Sequence, residues 1–143
     1  MGKNNLRYIG KYISMLYRAS LIHINENLKE FNVTSSEYLY IINIPEDKGV
    51  NLTYLSNELY VDPALTTKVI NNLVKKGFVE KTKCENDKRA YVVRLTEEGL
   101  KVKPKILDVL EEWIDIITEG MELEEKEEVL DNLEFMTKNI QKK

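Results

Sequence analysis

A helix with a sharply marked beginning and end, at residues 63–76, limits the folds open to this chain more than any other segment. Asp62 suits the N-cap position and Pro63 the first helical position. Apolar residues recur on one side of the helix, two lysines occupy its last turn, and Gly77 follows as a helix stop. A shorter amphipathic helix, which Asn51 can cap, comes just before it. Two short helices joined by a tight turn predict a helix-turn-helix.

The periodicity changes directly after this helix. Residues 78–83 and 91–95 have extended, β-type patterns, and they flank a polar loop at residues 84–90. This arrangement predicts a hairpin with a charged tip. Thr96 can cap the helix that follows. Together with the two short helices, the hairpin predicts a winged helix-turn-helix over residues 51–96.

Helices are predicted on both sides of this segment. Apolar residues recur at helical spacing from Leu6 to Phe31, and the N-terminal half of that apolar face is too wide for a single buried contact. We therefore expect a partner chain to cover part of it. After the winged segment, one helix contains Pro104, which should kink it or reset its start, and Gly120 should end it. A last helix with an acidic outer face follows.

A short helix is expected between the first long helix and the helix-turn-helix. Thr34 and Glu37 form a capping box, in which Thr34 is the N-cap and the Glu37 side chain reaches back to it. This pattern predicts a helix over residues 35–43, which Pro45 should stop.

The predicted fold class is mostly α with a small β-hairpin wing. It consists of a winged helix-turn-helix domain plus N- and C-terminal dimerisation helices. We expect the N-terminal dimerisation helix at residues 1–33, the winged helix-turn-helix domain at residues 34–96, and the C-terminal dimerisation helices at residues 97–143.

The distribution of charge is more informative than its total. The chain has a net charge of −3, yet residues 62–95 hold eight basic and four acidic groups, a local net charge of +4. Residues 1–61 are neutral, and residues 96–143 carry a net charge of −7. A basic segment in an otherwise neutral or acidic chain is typical of a surface that binds phosphates. Chance clustering on a solvated face is the alternative.

The helix at residues 63–76 carries the first set of candidate DNA contacts. Away from its apolar side it presents small, hydroxyl, cationic and amide side chains, which suit the major groove, and no acidic residue occurs from Pro63 to Phe78. The alternative is a surface helix of ordinary composition. The candidate contacts are Pro63, Ala64, Leu65, Thr67, Lys68, Asn71, Asn72 and Lys75.

The hairpin tip carries the second set. Arg89 is the candidate for insertion into the minor groove, where a narrow groove has an enhanced negative potential. Asp87 is expected to hold the guanidinium group of Arg89 by paired hydrogen bonds. The alternative is a charged surface turn. The candidate wing contacts are Lys83, Asn86, Asp87, Lys88 and Arg89.

These residues resemble the multiple antibiotic resistance regulator (MarR) family of winged-helix transcription factors. The resemblance covers nearly the whole chain, although its sharp motifs are confined to the helix-turn-helix and the wing. The order of Leu65 and Thr66 departs from the family, in which a polar residue commonly precedes an apolar one. Thr66 should then face the core and Leu65 the DNA. The matching motifs are Asp62-Pro63-Ala64, Thr67-Lys68, Lys75-Lys76-Gly77-Phe78-Val79-Glu80-Lys81, Asn86-Asp87-Lys88-Arg89 and Leu95-Thr96-Glu97-Glu98-Gly99.

The resemblance implies a homodimer, joined by N- and C-terminal helices, that binds a pseudo-palindromic promoter site, usually as a repressor. It also implies release from DNA by a small, often phenolic, ligand. The candidate dimerisation residues are Leu6, Ile9, Ile13, Leu130, Leu133, Met136 and Ile140. The candidate effector pocket consists of Tyr8, Tyr12, Arg18, His23 and Tyr38, for which interface and core packing is the alternative.

Other functions find less support. The sequence has no nucleophile motif and no phosphate-binding glycine loop, and its single histidine argues against a metal site. We expect no enzyme activity, no cofactor, no membrane contact and a cytoplasmic location. The alternative function is a winged-helix module that binds protein or senses oxidation through Cys84. Lys83 and Lys88 would favour the Cys84 thiolate, but a bystander role for this cysteine is the simpler interpretation.

Overall fold

The computed structural model describes residues 3–84, 86 and 90–141, and within these residues the protein is mostly helical. Short 3-10 segments at Lys3–Tyr8 and Lys29–Phe31 extend the first helix at both ends. The architecture confirms the predicted fold class. The helices are α1 (Ile9–Leu28), α2 (Tyr38–Ile42), α3 (Leu52–Leu59), α4 (Pro63–Lys76), α5 (Glu97–Ile117) and α6 (Leu123–Gln141), and the strands are β1 (Val50–Asn51), β2 (Val79–Lys83) and β3 (Tyr91–Leu95).

The wing is an antiparallel sheet with the strand order β1-β3-β2. The β2–β3 hairpin runs from the pair Val79–Leu95 to the pair Lys83–Tyr91, as the sequence predicts. The additional strand β1 pairs Val50 with Val93 on the other side of β3. The sequence does not predict this strand, because two residues are too few to show an alternating pattern.

One hydrophobic core joins the winged helix-turn-helix to the C-terminal half of α1 and to α5. The side chains at its centre come from helices α1 to α5, from the segment that follows α2 and from β3, so these parts fold as a unit. They are Ile24, Leu28, Ile41, Ile44, Leu55, Ile70, Leu73, Val93 and Ile106. In contrast, α6 buries none of its residues within the single chain. None of the described helices is long and apolar enough to cross a membrane.

Two polar contacts fix α5 to the winged domain. At its start, Thr96 donates a hydrogen bond through Oγ1 to the carbonyl oxygen of Gly77 (2.5 Å) and accepts one from the Gly99 amide (3.1 Å). Further along, the buried Lys103 donates to the carbonyl oxygen of Ile44 (2.9 Å) and pairs with the Glu46 carboxylate (3.0 Å). The hydrogen bond from Lys103 holds the pKa of Glu46 below its usual value.

Several predicted boundaries need correction. The helix expected over residues 35–43 is an α-helix only at Tyr38–Ile42. Glu37 does reach back to the Thr34 amide (3.0 Å). The Ser35 amide, however, donates to the Asn25 side chain on α1 (2.7 Å), so a loop-like turn replaces the first helical turn. The start of α5 is not reset by its internal proline, because Thr96 caps the helix and the helix continues unbroken through Pro104.

A buried hydroxyl cluster holds the inner side of α4. Thr66 is fully buried, as expected from its position next to Leu65. Its Oγ1 accepts a hydrogen bond from Ser56 Oγ on α3 (2.9 Å) and lies 3.3 Å from the Tyr40 hydroxyl on α2. The cluster therefore connects α2 to both helices of the helix-turn-helix, and each hydroxyl in it has a partner in place of water.

We predict that Thr66→Val destabilises the fold by about 1–3 kcal/mol, because the variant keeps the volume of the side chain but removes the partner of two buried hydroxyls. Urea unfolding at matched protein concentration measures the change. The control is Thr67→Val on the next, exposed position, whose hydroxyl donates only to the Pro63 carbonyl. This control should change stability by no more than about 0.5 kcal/mol. Equal stability of the two variants would show that the cluster does not stabilise α4.

Candidate nucleic-acid interface

The ends of α4 are fixed by its own sequence. The Asp62 carboxylate accepts a hydrogen bond from the Ala64 amide (2.7 Å), and Pro63 occupies the first turn. At the other end Gly77 adopts a φ of 87°, and its amide donates to the last turn of the helix. This left-handed conformation favours glycine over any residue with a side chain. Both caps are as predicted from the sequence, and they set the length of the exposed helix.

The two sides of α4 differ sharply. Its inner side consists of Thr66, Val69, Ile70 and Leu73, which are buried. All eight predicted contacts lie on the other side and are exposed, and no acidic residue lies on the helix. The outer side is therefore free to approach a polyanion, whereas the inner side cannot turn outward without exposing the core.

One cation next to α4 was not among the predicted contacts. Lys81 on β2 donates a hydrogen bond to the Asn71 side chain (3.2 Å), and its ammonium group lies 4.3 Å from the centre of the Tyr91 ring. These contacts hold a positive charge beside the outer side of α4. Lys81 belongs to the basic segment of the sequence, but its contact with Asn71 depends on how β2 folds back along α4 after Gly77.

The wing is described in part. Lys83 ends β2 and is exposed, as is Asn86 in the loop. A hydrogen bond from the Cys84 amide to the Ala90 carbonyl (2.9 Å) closes the base of the loop, and Cys84 is half-buried there. The predicted contacts Asp87, Lys88 and Arg89 lie outside the described residues, so their roles stay predictions.

The C-terminal end of α4 is tied to the start of α2. Lys76 pairs with the Glu37 carboxylate (2.7 Å) and also donates to the Asn32 carbonyl oxygen (3.0 Å). Glu37 is almost completely buried, so its charge depends on this partner and on the Thr34 amide. Sequence reasoning assigned Lys76 only to the helix dipole and Glu37 only to the capping box, because a contact between residues so far apart in the chain leaves no local pattern.

The five candidate effector residues fall into two groups. Tyr8, Tyr12 and Arg18 are exposed on the N-terminal part of the molecule. His23 lies deeper and packs on Trp113 of α5, with 5.1 Å between ring centres. Its Nε2 atom is buried and has no hydrogen-bond partner in the part of the chain that the structure describes. Tyr38 is half-buried, and burial, together with the nearby Tyr17, raises its pKa.

A groove lies elsewhere in the single chain, apart from these five residues. It has a volume of about 660 Å³ and lies between α3 and the end of α6, where Tyr54, Tyr60 and Ile140 line it. None of the five candidate effector residues lines this groove. Among the described residues, no three His, Cys, Asp or Glu side chains come together as a metal-binding group.

The candidate dimerisation residues are exposed in the single chain. Each of the seven has at least 40% of its surface accessible, which is unusual for so many large apolar side chains. They form two groups, one on α1 and the 3-10 segment before it, and one on α6. The first group is Leu6, Ile9 and Ile13, and the second is Leu130, Leu133, Met136 and Ile140.

Comparison with known proteins identifies this arrangement. The family model described as "MarR family" matches residues 33–91. The chain is 30% identical over 135 residues to the HTH-type transcriptional regulator BilQ of Clostridioides difficile, which covers 93% of this chain and 91% of that protein.

Solved structures agree in fold over nearly the full length. A MarR transcriptional regulator from Methanosarcina mazei is 32% identical with a TM-score of 0.88, covering 95% of this chain and 98% of that one. A MarR family regulator from Listeria monocytogenes, solved in complex with 26mer DNA, is 26% identical with a TM-score of 0.81, covering 96% and 89%. The protein is therefore not an enzyme: it belongs to the MarR family of winged helix-turn-helix transcriptional regulators.

Proposed function

We propose that this regulator binds a pseudo-palindromic DNA operator as a homodimer, with α4 of each copy in the major groove. The observation that carries the proposal is the two-sided construction of α4. Its eight exposed, non-acidic candidates face away from the core, while its inner side is fixed by the core and the Thr66 cluster. The similarity to the Listeria monocytogenes regulator, which was solved with DNA, supports the same use of the fold.

The wing is proposed to contact the adjacent minor groove. Lys83 and Asn86 are exposed at and beyond the end of β2, so both can face a DNA backbone. Insertion of Arg89, oriented by Asp87, rests on the sequence motif alone. The strength of such a contact depends on the width of the minor groove and not on a unique pattern of hydrogen bonds to the bases. The wing would therefore add affinity for narrow, A·T-rich flanks of the operator.

Exposed apolar surface supports the dimer. The apolar groups on α1 and α6 are outside the core of the single chain, and each Å² of apolar surface that a partner removes from water contributes about 25 cal/mol. A second copy of the same chain is the occupant that the family resemblance implies. Two-fold symmetry would place the two α4 helices about one DNA turn apart.

Repression and ligand release complete the proposal. A dimer seated on a promoter excludes other proteins from the same DNA, and we place this regulator in the cytoplasm. The proposed effector is a small aromatic or phenolic ligand that binds near His23 and Tyr38. The Nε2 atom of His23, which lies beside Trp113 and has no hydrogen-bond partner among the described residues, offers such a ligand a hydrogen bond.

Salt dependence tests the interface. We expect the logarithm of the affinity for the operator to fall linearly with the logarithm of salt concentration, between about 50 and 200 mM. Lys68→Ala should reduce that slope by about 1, because one phosphate-neutralising charge is lost. Lys101→Ala is the control: this exposed lysine on α5 pairs with Glu97 and Glu98, and its removal should leave the slope unchanged. An affinity of the parent protein that does not respond to salt would refute the proposed DNA interface.

The effector site has a separate test. A phenolic carboxylate such as salicylate should weaken operator binding and change the fluorescence of Trp113, the single tryptophan. Tyr38→Phe should reduce both effects, because a half-buried hydroxyl is removed from the proposed site. Tyr54→Phe, which alters the groove between α3 and α6, serves as the control and should respond like the parent. A response lost in Tyr54→Phe and kept in Tyr38→Phe would move the site to that groove, and no response to any phenolic ligand would remove ligand release from the proposal.

A further inference from the structure

We propose that Leu65 reads the methyl group of a thymine in each half of the operator. The inference rests on the proposed function, because it assumes that α4 enters the major groove. It adds to that function the identity of one base pair and the residue that selects it.

The position of Leu65 on α4 is the first observation. It is the third residue of the helix, and the N-terminal residues of a recognition helix are those that meet base edges. Its side chain is 47% exposed, although leucine is a residue that proteins usually bury. The helix therefore presents a large apolar side chain at a position where a polar side chain that contacts a base is more usual.

The rotation of α4 prevents Leu65 from turning inward. Thr66, the next residue, is fully buried, and its hydroxyl is bonded by Ser56 from α3 and approached by Tyr40 from α2. Adjacent residues on a helix lie about 100° apart, so a buried Thr66 directs Leu65 outward. Exchanging the two directions would bury Leu65 and leave the Ser56 and Tyr40 hydroxyls without their shared partner.

The chemistry of leucine then selects the base. Leucine has no donor or acceptor, so it gains free energy only by covering apolar surface. In the major groove the C5 methyl group of thymine is the one apolar group on a base edge. Over cytosine the same position carries only a hydrogen atom, so this contact is lost. Leu65 therefore favours thymine through contact with its methyl group.

The neighbours of Leu65 allow close contact. Ala64 is small and leaves room for the helix backbone to approach the bases. Lys68 and Asn72 follow at helical spacing on the same side and are exposed. Lys68 can neutralise a phosphate and Asn72 can read polar groups of a further base pair, so the apolar contact is one element of a mixed apolar and polar surface.

The test uses an operator selected from random DNA by the parent protein. Each thymine in it is replaced, one at a time, by deoxyuridine, which lacks only the C5 methyl group. Binding is measured by fluorescence anisotropy at constant salt, for the parent and for Leu65→Ala. At one thymine per half-site, the parent should lose about fourfold in affinity per methyl group, the factor that corresponds to ~0.8 kcal/mol. Replacing that thymine in both half-sites should cost about 15-fold, the product of two such factors.

Leu65→Ala should bind the thymine and deoxyuridine operators with nearly equal affinity, because the partner of the methyl group is gone. Since Leu65 is exposed, the thermal unfolding of this variant should match that of the parent. Asn72→Ala is the matched control on the same helix side: it should bind more weakly but keep the parent's response to deoxyuridine.

The outcomes separate this inference from the function on which it rests. A parent protein that selects no DNA sequence would overturn the proposed function, and this inference with it. If the parent selects an operator but no thymine responds to the loss of its methyl group, Leu65 does not read a methyl. An equal response in the parent and in Leu65→Ala would assign the methyl contact to another residue. The deoxyuridine scan of the parent alone decides the second outcome, so it does not depend on the variant folding.

Discussion

The buried hydroxyl group of Thr66 determines which side of α4 faces outward. A recognition helix must keep its outer side free, so it can be held only from its inner side and its ends. Apolar packing of Val69, Ile70 and Leu73 holds most of the inner side of α4. Apolar contacts have little directionality, whereas the hydrogen bond from Ser56 and the contact with Tyr40 permit one orientation of Thr66. The rotation of α4, and hence the set of side chains it presents, follows from that orientation.

The ends of α4 are fixed by different means. Asp62 caps the start, while the buried pair of Lys76 and Glu37 ties the end to the corner between α1 and α2. The hydroxyl of Thr96 then links the helix stop at Gly77 to the first turn of α5. The segment between α1 and α2 and the first turn of α5 are thus both connected to the C-terminal end of α4 through hydrogen bonds. In the ligand release that we propose, a change in the angle between α1 and α5 would be transmitted to α4 at this point.

The local features of this fold could be predicted from the sequence. The caps at Asn51, Asp62, Gly77 and Thr96 were correct because each depends on a few neighbouring residues. The inward direction of Thr66 was also predictable, since helical periodicity and the family pattern agree on it. What could not be predicted depends on contacts between distant segments. The two-residue strand β1 forms only because it pairs with the edge of β3. The turn at residues 35–37 replaces a helical turn because the Ser35 amide donates its hydrogen bond to Asn25 on α1.

The same difference between local patterns and contacts of distant segments applies to the candidate site. The exposed residues of α4 are predictable from composition and spacing, but the contact of Lys81 with Asn71 depends on how β2 folds back along α4. The candidate effector residues were grouped by their chemistry, and the fold separates His23 and Tyr38 from Tyr8 and Tyr12 by burial. Composition alone could not make that distinction, since tyrosine serves both in cores and at surfaces.

In the proposed complex, two copies of α4, held at a fixed separation, read DNA together. Selection of bound sequences from random duplexes by the whole chain, followed by footprinting of the selected sequence, tests this arrangement. We expect two inverted half-sites whose centres lie about 10 base pairs apart, or one helical turn, with protection in successive major grooves on one side of the duplex. A single asymmetric site bound by one copy, or no enriched sequence, would contradict it.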